Sequence, residues 1–159
     1  MNYICILSIV QDTIVDGPGF RTSIYAAGCP HACKGCHNPQ SWIKENGSMT
    51  SIDEIMKTIK SNPIANVTFS GGEPFTQVSG FLSLAKRIKE ETDKTIWCYT
   101  GFQYETLLLN PENVKLLSYI DVLVDGRYIE KEKDLSLRFR GSRNQRIINV
   151  KELLGVKSA

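Results

Sequence analysis

The sequence lacks several features that would assign it to a specialised class of protein. No apolar run approaches the roughly 20 residues of a membrane-spanning helix, and MNYICILSIVQDTI at the start has no basic segment or small-residue cleavage site. Charge of one sign is not in excess, because 19 Lys and Arg accompany 17 Asp and Glu. The net charge of +2 gives no reason to expect nucleic acid or a membrane surface as the main partner. With no internal repeat, low-complexity tract or linker, we expect one cytoplasmic domain over residues 1–159.

Cysteine is present, and its distribution is uneven. In a reducing cytoplasm, cysteines indicate metal binding or catalysis before disulfides. Cys5 and Cys98 lie in short apolar runs that are typical of strands, so both are expected to pack in the core as small hydrophobic residues. The other three, Cys29, Cys33 and Cys36, fall within eight residues.

Apolar patterning predicts alternating strands and helices. The predicted strands are FRTSIYAAG, NVTFS, TIWCYT, DVLVDG and RIINV. Helices are predicted in SMTSIDEIMKTIKSN and GFLSLAKRIKEET, with a poorer helical pattern over residues 104–119 that Pro111 interrupts. Strands separated by helices of this length favour parallel βαβ units. We therefore predict an α/β fold, an open or partial parallel βα barrel of about five to six units, too few for a closed eight-stranded barrel.

Four loops that follow predicted strands hold the residues of interest. These loops are CPHACKGCHNP, SGGEP, TGF and DGRY, in chain order. In parallel α/β folds, sites form where the carboxyl ends of the strands meet the following loops. The four loops are therefore expected to gather on one face of the sheet.

The cysteine loop is compatible with two kinds of metal site. A structural zinc site would add His31 or His37 as its fourth ligand, although zinc sites usually use a second spaced pair of ligands and none follows here. Thiolates are also the usual ligands of iron–sulfur clusters. Three thiolates would leave one iron of a four-iron cluster open, as catalytic metal sites require. A histidine beside such a cluster is more often a hydrogen-bonding group than a ligand.

The spacing Cys-x3-Cys-x2-Cys, followed about 35 residues later by Ser70-Gly71-Gly72-Glu73-Pro74 at a strand end, resembles the signature of the radical S-adenosylmethionine (SAM) superfamily. The resemblance implies a 4Fe-4S cluster held by Cys29, Cys33 and Cys36, with SAM chelating the fourth iron. It also implies that Gly71, Gly72 and Glu73 hold the methionine part of SAM. Glycine suits such a place because a backbone without Cβ can approach a ligand closely.

Further segments resemble the branch of this superfamily that activates glycyl-radical enzymes. DGPGFR, from Asp16 to Arg21, resembles a segment upstream of the cluster in those activating enzymes. The loop CPHACKGCHN is similar to the activating proteins of anaerobic ribonucleoside-triphosphate reductase, as are DVLVDGRY and FRGSRNQRIINV. The short chain agrees, because activators of pyruvate formate-lyase are considerably longer. An activator of another glycyl-radical enzyme, and a non-catalytic zinc-binding adaptor from a different class, are the alternatives.

The resemblance implies roles for the remaining candidate residues. Asp16, Gly17 and Arg21 are expected to contact the partner, and the arginines at 138, 140, 143 and 146 form either a solvated face or a contact with partner or cofactor. The implied partners are the large reductase subunit and a one-electron donor such as reduced flavodoxin. The implied chemistry is reductive cleavage of SAM to generate a glycyl radical, with no side chain acting as acid or base. Besides the SGGEP residues, those expected near SAM are Gly35, Cys36, His37, Thr100, Asp125 and Arg127.

Overall fold

A mixed seven-stranded sheet organises the part of the chain that the computed structural model describes, residues 2–31, 33–36 and 42–153. The strand order across the sheet is β3-β1-β2-β4-β5-β6-β7. The strands are β1 (Tyr3–Thr13), β2 (Arg21–Ala26), β3 (Ser48–Ser51), β4 (Asn66–Gly71), β5 (Ile96–Tyr99), β6 (Val122–Asp125) and β7 (Arg146–Asn149).

The middle of the sheet is parallel and its edges are antiparallel. Strands β2, β4, β5 and β6 pair in parallel, whereas β1 is antiparallel to both β2 and β3, and β7 is antiparallel to β6. Four parallel strands therefore replace the five to six parallel units that the sequence predicted. The physical reason at β7 is its connection: residues 126–145 contain a short 3-10 turn, Glu130–Glu132, and no crossover helix, so the chain returns beside β6 in the opposite direction.

The helices supply the crossovers between the parallel strands. Ser51 caps the first helix by accepting a hydrogen bond from the Glu54 amide at 3.1 Å. The helical pattern predicted over residues 104–119 is two short helices, because Pro111 begins a new one and its side chain suits that first position. Within the described residues, no helix is both long and apolar enough to cross a bilayer. The helices are α1 (Ile52–Lys60), α2 (Val78–Glu91), α3 (Tyr104–Leu107), α4 (Pro111–Leu117) and α5 (Val150–Leu153).

The two faces of the sheet have different chemistry, because successive strand residues point to opposite sides. One face packs against α1, α2 and α4 through buried apolar side chains, among them Phe69, whose ring centroid lies 4.9 Å from that of Phe81. Cys98 belongs to this core and Cys5 is also buried, as predicted for both. The opposite face carries Tyr25, Thr68 and other polar residues, and this is the face on which a cavity opens.

Candidate active site

A cavity of about 690 Å³ lies on the polar face of the sheet, where the parallel strands end. All four of the predicted loops contribute to its wall, which confirms that they gather on one face. Residues from these loops that line the cavity are Cys29, His31, Cys33, Cys36, Ser70, Gly71, Gly72, Thr100, Gly101, Gly126, Arg127 and Tyr128.

The cysteine loop follows β2, and its residues Cys29, His31, Cys33 and Cys36 line the cavity. The Cys29 amide donates to the Trp42 carbonyl at 3.2 Å, and the Cys36 amide donates to the Cys33 carbonyl at 3.1 Å. Gly35 has φ of +78°, a conformation that side chains disfavour, and it forms the turn between the second and third cysteine. The three thiols are half-buried in the wall of one cavity. His37, predicted to lie near SAM, falls outside the described residues.

The donor set of this loop fits an iron–sulfur cluster. A four-iron cluster binds each thiolate at a different iron, so it needs three thiols distributed around one space. Cys29, Cys33 and Cys36 meet that requirement, because all three line the same cavity. Across the described ranges, no three His, Cys, Asp or Glu side chains converge on the position of a single metal ion.

The SGGEP loop is bonded directly to the start of the cysteine loop. The Gly72 amide donates to the Ala26 carbonyl at 2.7 Å, and the Glu73 amide donates to the Gly28 carbonyl at 2.8 Å. Gly71 has φ of +94°, and a Cβ there would lie 2.5 Å from the Ala26 nitrogen. Glycine at this position is therefore required by the close pairing of β4 with β2, and it leaves the backbone at the cavity wall uncovered.

The Glu73 side chain lies behind this wall and is fully buried. Its Oε1 accepts from His31 Nε2 at 2.7 Å and from the Gly101 amide at 2.8 Å. Its Oε2 accepts from the Phe75 amide at 3.0 Å and from the Thr100 hydroxyl at 2.9 Å. Protein donors thus occupy both carboxylate oxygens, so the predicted contact of Glu73 with SAM does not fit its side chain in this arrangement. His31, which lies between Cys29 and Cys33 in the chain, hydrogen-bonds Glu73, in keeping with the expectation that a histidine beside the cluster is a hydrogen-bonding group.

A second cavity of about 400 Å³ adjoins the first beyond Gly101. The two share His31, Gly101, Gly126 and Arg127 in their walls. Arg127 is exposed at this junction, where a cation could meet a bound anionic group. Thr100, in contrast, is almost fully buried, and its hydroxyl is already engaged by Glu73 and by the Phe102 amide.

Asp125 is buried at the end of β6 and has its own partners. It accepts from the Tyr104 amide at 2.8 Å and from Arg146 Nε at 3.0 Å. Arg146 also donates to Glu105 at 2.7 Å, and its hydrogen bonds to these two carboxylates raise the pKa of Arg146. Sequence reasoning missed this pair. Opposite charges at facing positions of two antiparallel strands indicate a cross-strand ion pair. That signal could be used here only if the pairing of β7 with β6 were already known.

The other tail arginines have different surroundings. Arg140 donates from Nη1 to the Gln145 carbonyl at 2.8 Å, and Arg138 lies over the Phe139 ring with 5.0 Å to the centroid. Arg138 and Arg143 are exposed. The tail arginines therefore differ: Arg146 is paired with Asp125 and Glu105, while Arg138 and Arg143 are exposed to solvent or a partner.

The DGPGFR segment joins the cavity at one end through Asp16. The Asp16 carboxylate accepts from the Ser23 hydroxyl at 2.9 Å and from the Tyr25 hydroxyl. Burial and the hydrogen bond to Asp16 raise the pKa of Tyr25. Gly17 has φ of +129°, and a Cβ there would lie 2.8 Å from Arg21 Cδ, so this glycine makes room for the arginine stem.

Arg21 is buried inside the sheet, with 1% of its surface exposed. Its guanidinium donates to the Thr68 hydroxyl at 2.8 Å, the Val67 carbonyl at 2.9 Å and the Pro18 carbonyl at 3.0 Å. Burial lowers the pKa of Arg21 to about 10. A direct contact between Arg21 and a partner, which the sequence predicted, does not fit this position. The exposed residues of the segment are Pro18, Gly19 and Phe20.

Comparison with known proteins identifies relatives along most of the chain. Residues 15–148 match the family described as 4Fe-4S single cluster domain. A Vibrio cholerae protein named anaerobic ribonucleoside-triphosphate reductase-activating protein is 39% identical over 140 residues, covering 83% of this chain and 89% of the relative. Proteins of the same name are 36% identical in Haemophilus influenzae, over 91% of this chain and 96% of the relative, and 36% identical in Escherichia coli, over 83% and 90%. The family match includes the three cysteines and all four loops of the cavity.

Proposed function

The chain belongs to the family of anaerobic ribonucleoside-triphosphate reductase-activating proteins, and from this membership we propose that it is a radical SAM enzyme that activates that reductase. Its cofactors are a 4Fe-4S cluster and SAM, and its substrate is the large subunit of the reductase. When bound, the cluster and SAM supply the chemistry, a one-electron reductive cleavage of SAM that generates a glycyl radical on the reductase. A reduced flavodoxin or a similar protein supplies the electron.

The observation that carries this proposal is the shared cavity. Three half-buried thiols lie in one wall, and the glycines of the SGGEP loop lie in the same cavity although they are distant in sequence. A zinc-binding adaptor has a use for the thiols but none for an uncovered glycine backbone beside them. An enzyme that holds an amino acid cofactor against a cluster requires both.

Different residues bind the different parts of the two cofactors. Cys29, Cys33 and Cys36 hold the cluster, and the backbone at Gly71 and Gly72 receives the methionine part of SAM. The adjoining cavity beyond Gly101 receives the adenosine, with Arg127 at the junction. Gly35 and Thr100 shape the wall of the first cavity. Asp125, which is paired with Arg146, holds the wall of the second cavity in place. Any direct contact of His37 with SAM stays a prediction.

The protein contributes placement and exclusion of solvent, since the cofactors perform the bond cleavage. No side chain is required as a general acid or base. We further propose that the sheet curves as a partial barrel within a single cytoplasmic domain, and that its open side admits a loop of the reductase. Ile14 and Val15, which directly precede the cavity-lining Asp16, are exposed apolar side chains that such a loop could cover.

Anaerobic reconstitution tests the proposed function. The protein should bind about four irons per chain, and with dithionite and SAM it should release 5′-deoxyadenosine. Cys29→Ala, Cys33→Ala and Cys36→Ala should each abolish that release, whereas Cys98→Ala, a core thiol, should keep iron and activity. Zinc in place of iron, with no SAM cleavage, would establish the adaptor instead. A glycyl radical formed on pyruvate formate-lyase and not on the reductase would identify a different partner.

A further inference from the structure

We propose that Glu73 and His31 are positioning residues, a buried latch that holds the cysteine loop in place over the cavity. The latch is the hydrogen bond between His31 Nε2 and Glu73 Oε1, 2.7 Å long, with both side chains nearly or fully buried. The inference rests on the proposed function only in requiring that the loop carry a metal cluster. It assigns neither side chain to the cofactors.

The carboxylate of Glu73 is saturated by the protein. An ionised carboxylate offers about four acceptor positions, and His31, Gly101, Phe75 and Thr100 each supply one donor. Two of these donors are backbone amides and therefore fixed. The carboxylate oxygens of Glu73 accept hydrogen bonds, so Nε2 of the His31 imidazole is assigned as the donor. The Glu73 carboxylate thus links three loops: the cysteine loop, the SGGEP loop and the loop after β5.

The latch acts on the cysteine loop close to its metal-binding thiols. His31 lies two residues after Cys29 and two before Cys33. On the other side of Cys29, the Gly28 carbonyl accepts from the Glu73 amide at 2.8 Å. One residue, Glu73, therefore restrains the loop on both sides of the first cysteine, by its backbone and by its side chain.

A tailored slot receives the His31 ring. Phe102 packs edge-on against it, with ring centroids 4.6 Å apart. On another side lies Gly101, where a Cβ would come within 2.4 Å of His31 Cδ2. The backbone at Gly101 does not have positive φ, so the requirement for glycine here is the space taken by the ring. A slot that closes around the imidazole gives the latch one orientation.

Energetics explain why such a latch suits a cluster loop. A hydrogen bond to a charged group in a buried site is stronger than one between neutral groups, and leaving either partner unpaired is costly. The loop must keep three thiolates in place while the cluster is oxidised and reduced. A restraint that avoids the thiols achieves this without occupying a metal-binding position.

Iron release to a chelator tests the latch without measuring activity. His31→Ala should speed iron loss from the reconstituted protein about tenfold, the population effect expected for losing one charge-assisted hydrogen bond. His31→Gln, whose side-chain amide can donate to Glu73, should restore retention to within about twofold of wild type. Alkylation of the buried Cys98 thiol, measured on the same samples, reports global opening and should not change.

Two further variants separate positioning from general destabilisation. Gly101→Ala removes no polar group, yet its methyl should displace the ring and speed iron release as His31→Ala does. Asp121→Asn alters another half-buried, multiply bonded carboxylate at the opposite end of β6, and should leave iron release within about twofold of wild type.

The outcomes are distinct. Unchanged iron release in both His31→Ala and Gly101→Ala would overturn the latch, as would a rise in Cys98 alkylation that matches the rise in iron release. Failure of His31→Gln to rescue retention would show that the imidazole acts by something other than its Nε2 donor. Because iron retention is measured without SAM, a failed latch and a failed SAM reaction are recognised separately.

Discussion

Asp125 and Arg146 face each other across the antiparallel pair of β6 and β7, and Arg146 Nε donates to the buried Asp125 Oδ1 at 3.0 Å. This contact lies at the edge of the sheet, and both residues line the second cavity. The same arginine bonds Glu105 on α3, so one side chain ties β6, β7 and α3 together. The Asp125–Arg146 pair therefore holds this wall of the second cavity in place.

Removing Arg146 should destabilise the fold more than removing a neighbouring arginine. In Arg146→Ala, the Asp125 carboxylate stays buried with the Tyr104 amide as a remaining donor. We expect a loss of about 1–2 kcal/mol in the free energy of unfolding, less than for a fully buried pair because the arginine side chain is half exposed. Urea denaturation of the metal-free protein measures it.

Arg138→Ala is the matched control, since Arg138 is exposed and stacks on Phe139. It should change the free energy of unfolding by less than about 0.5 kcal/mol. Equal effects of the two variants would contradict a structural role for the Asp125–Arg146 pair.

Asp121 should make stability depend on acid pH. Burial by itself would raise the pKa of Asp121, but hydrogen bonds from Lys151, Lys89 and the Ile96 amide outweigh it and lower the pKa. A carboxyl whose pKa is lowered by folding stabilises the folded state above its unfolded pKa of about 3.9. That contribution is lost as the pH falls below this value.

The measurement is the free energy of unfolding of wild type and Asp121→Asn across the acid range. The difference between them should be largest near about pH 6 and shrink as the pH falls below about 3.9, where the carboxyl of the unfolded chain takes up a proton. A difference that stays constant with pH would mean that ionisation of Asp121 does not contribute.

The sequence was a good guide to the elements and to which loops meet. Apolar spacing located α1 and α2, and the parallel order of β2, β4, β5 and β6 brought the cysteine loop and SGGEP together, since strand ends on one face converge whatever lies between them. The antiparallel direction of β7 could not be predicted from the sequence in this way. It depends on the connection over residues 126–145, which has no helix and whose course is set by tertiary contacts.

Charged side chains were the harder part of the prediction. Arginine is rarely fully buried, so the default expectation for Arg21 was the surface. Its burial follows from acceptors on β4, a strand that lies about 46 residues further along the chain. The Glu73–His31 bond likewise joins residues 42 positions apart. Such pairings depend on three-dimensional neighbours, which periodicity in one sequence does not reveal.

Substitution of Gly72 tests the proposal that this wall of the cavity binds SAM. Gly72→Val should leave the cluster intact and weaken SAM binding, because a β-branched side chain would stand where the backbone has to approach the methionine. The iron–sulfur absorption should look normal, while SAM should no longer perturb the electron paramagnetic resonance signal of the reduced cluster. An unchanged response to SAM would mean that this backbone does not receive the cofactor.

The choice of position matters for that experiment. Gly71→Ala would place a Cβ 2.5 Å from the Ala26 nitrogen in a left-handed conformation, so it should damage the pairing of β2 and β4 and confuse binding with folding. Gly72→Ala is the graded control, and its smaller side chain should weaken SAM binding less than valine does.

Substitution of Arg21 tests whether this residue anchors the DGPGFR segment or contacts the reductase. Arg21→Ala removes a buried guanidinium that bonds Pro18, Val67 and Thr68, so we expect a loss of about 3 kcal/mol in the free energy of unfolding. Because the segment that includes Asp16 would lose its support at the cavity wall, 5′-deoxyadenosine release and glycyl-radical formation on the reductase should fall together. Val15→Ala is the contrasting variant: Val15 is exposed and precedes the cavity-lining Asp16, so its loss should spare stability and SAM cleavage and reduce only the radical yield on the reductase. If Arg21→Ala kept full stability and SAM cleavage but lost the glycyl radical, Arg21 would contact the partner after all, and its side chain would have to leave the sheet when the reductase binds.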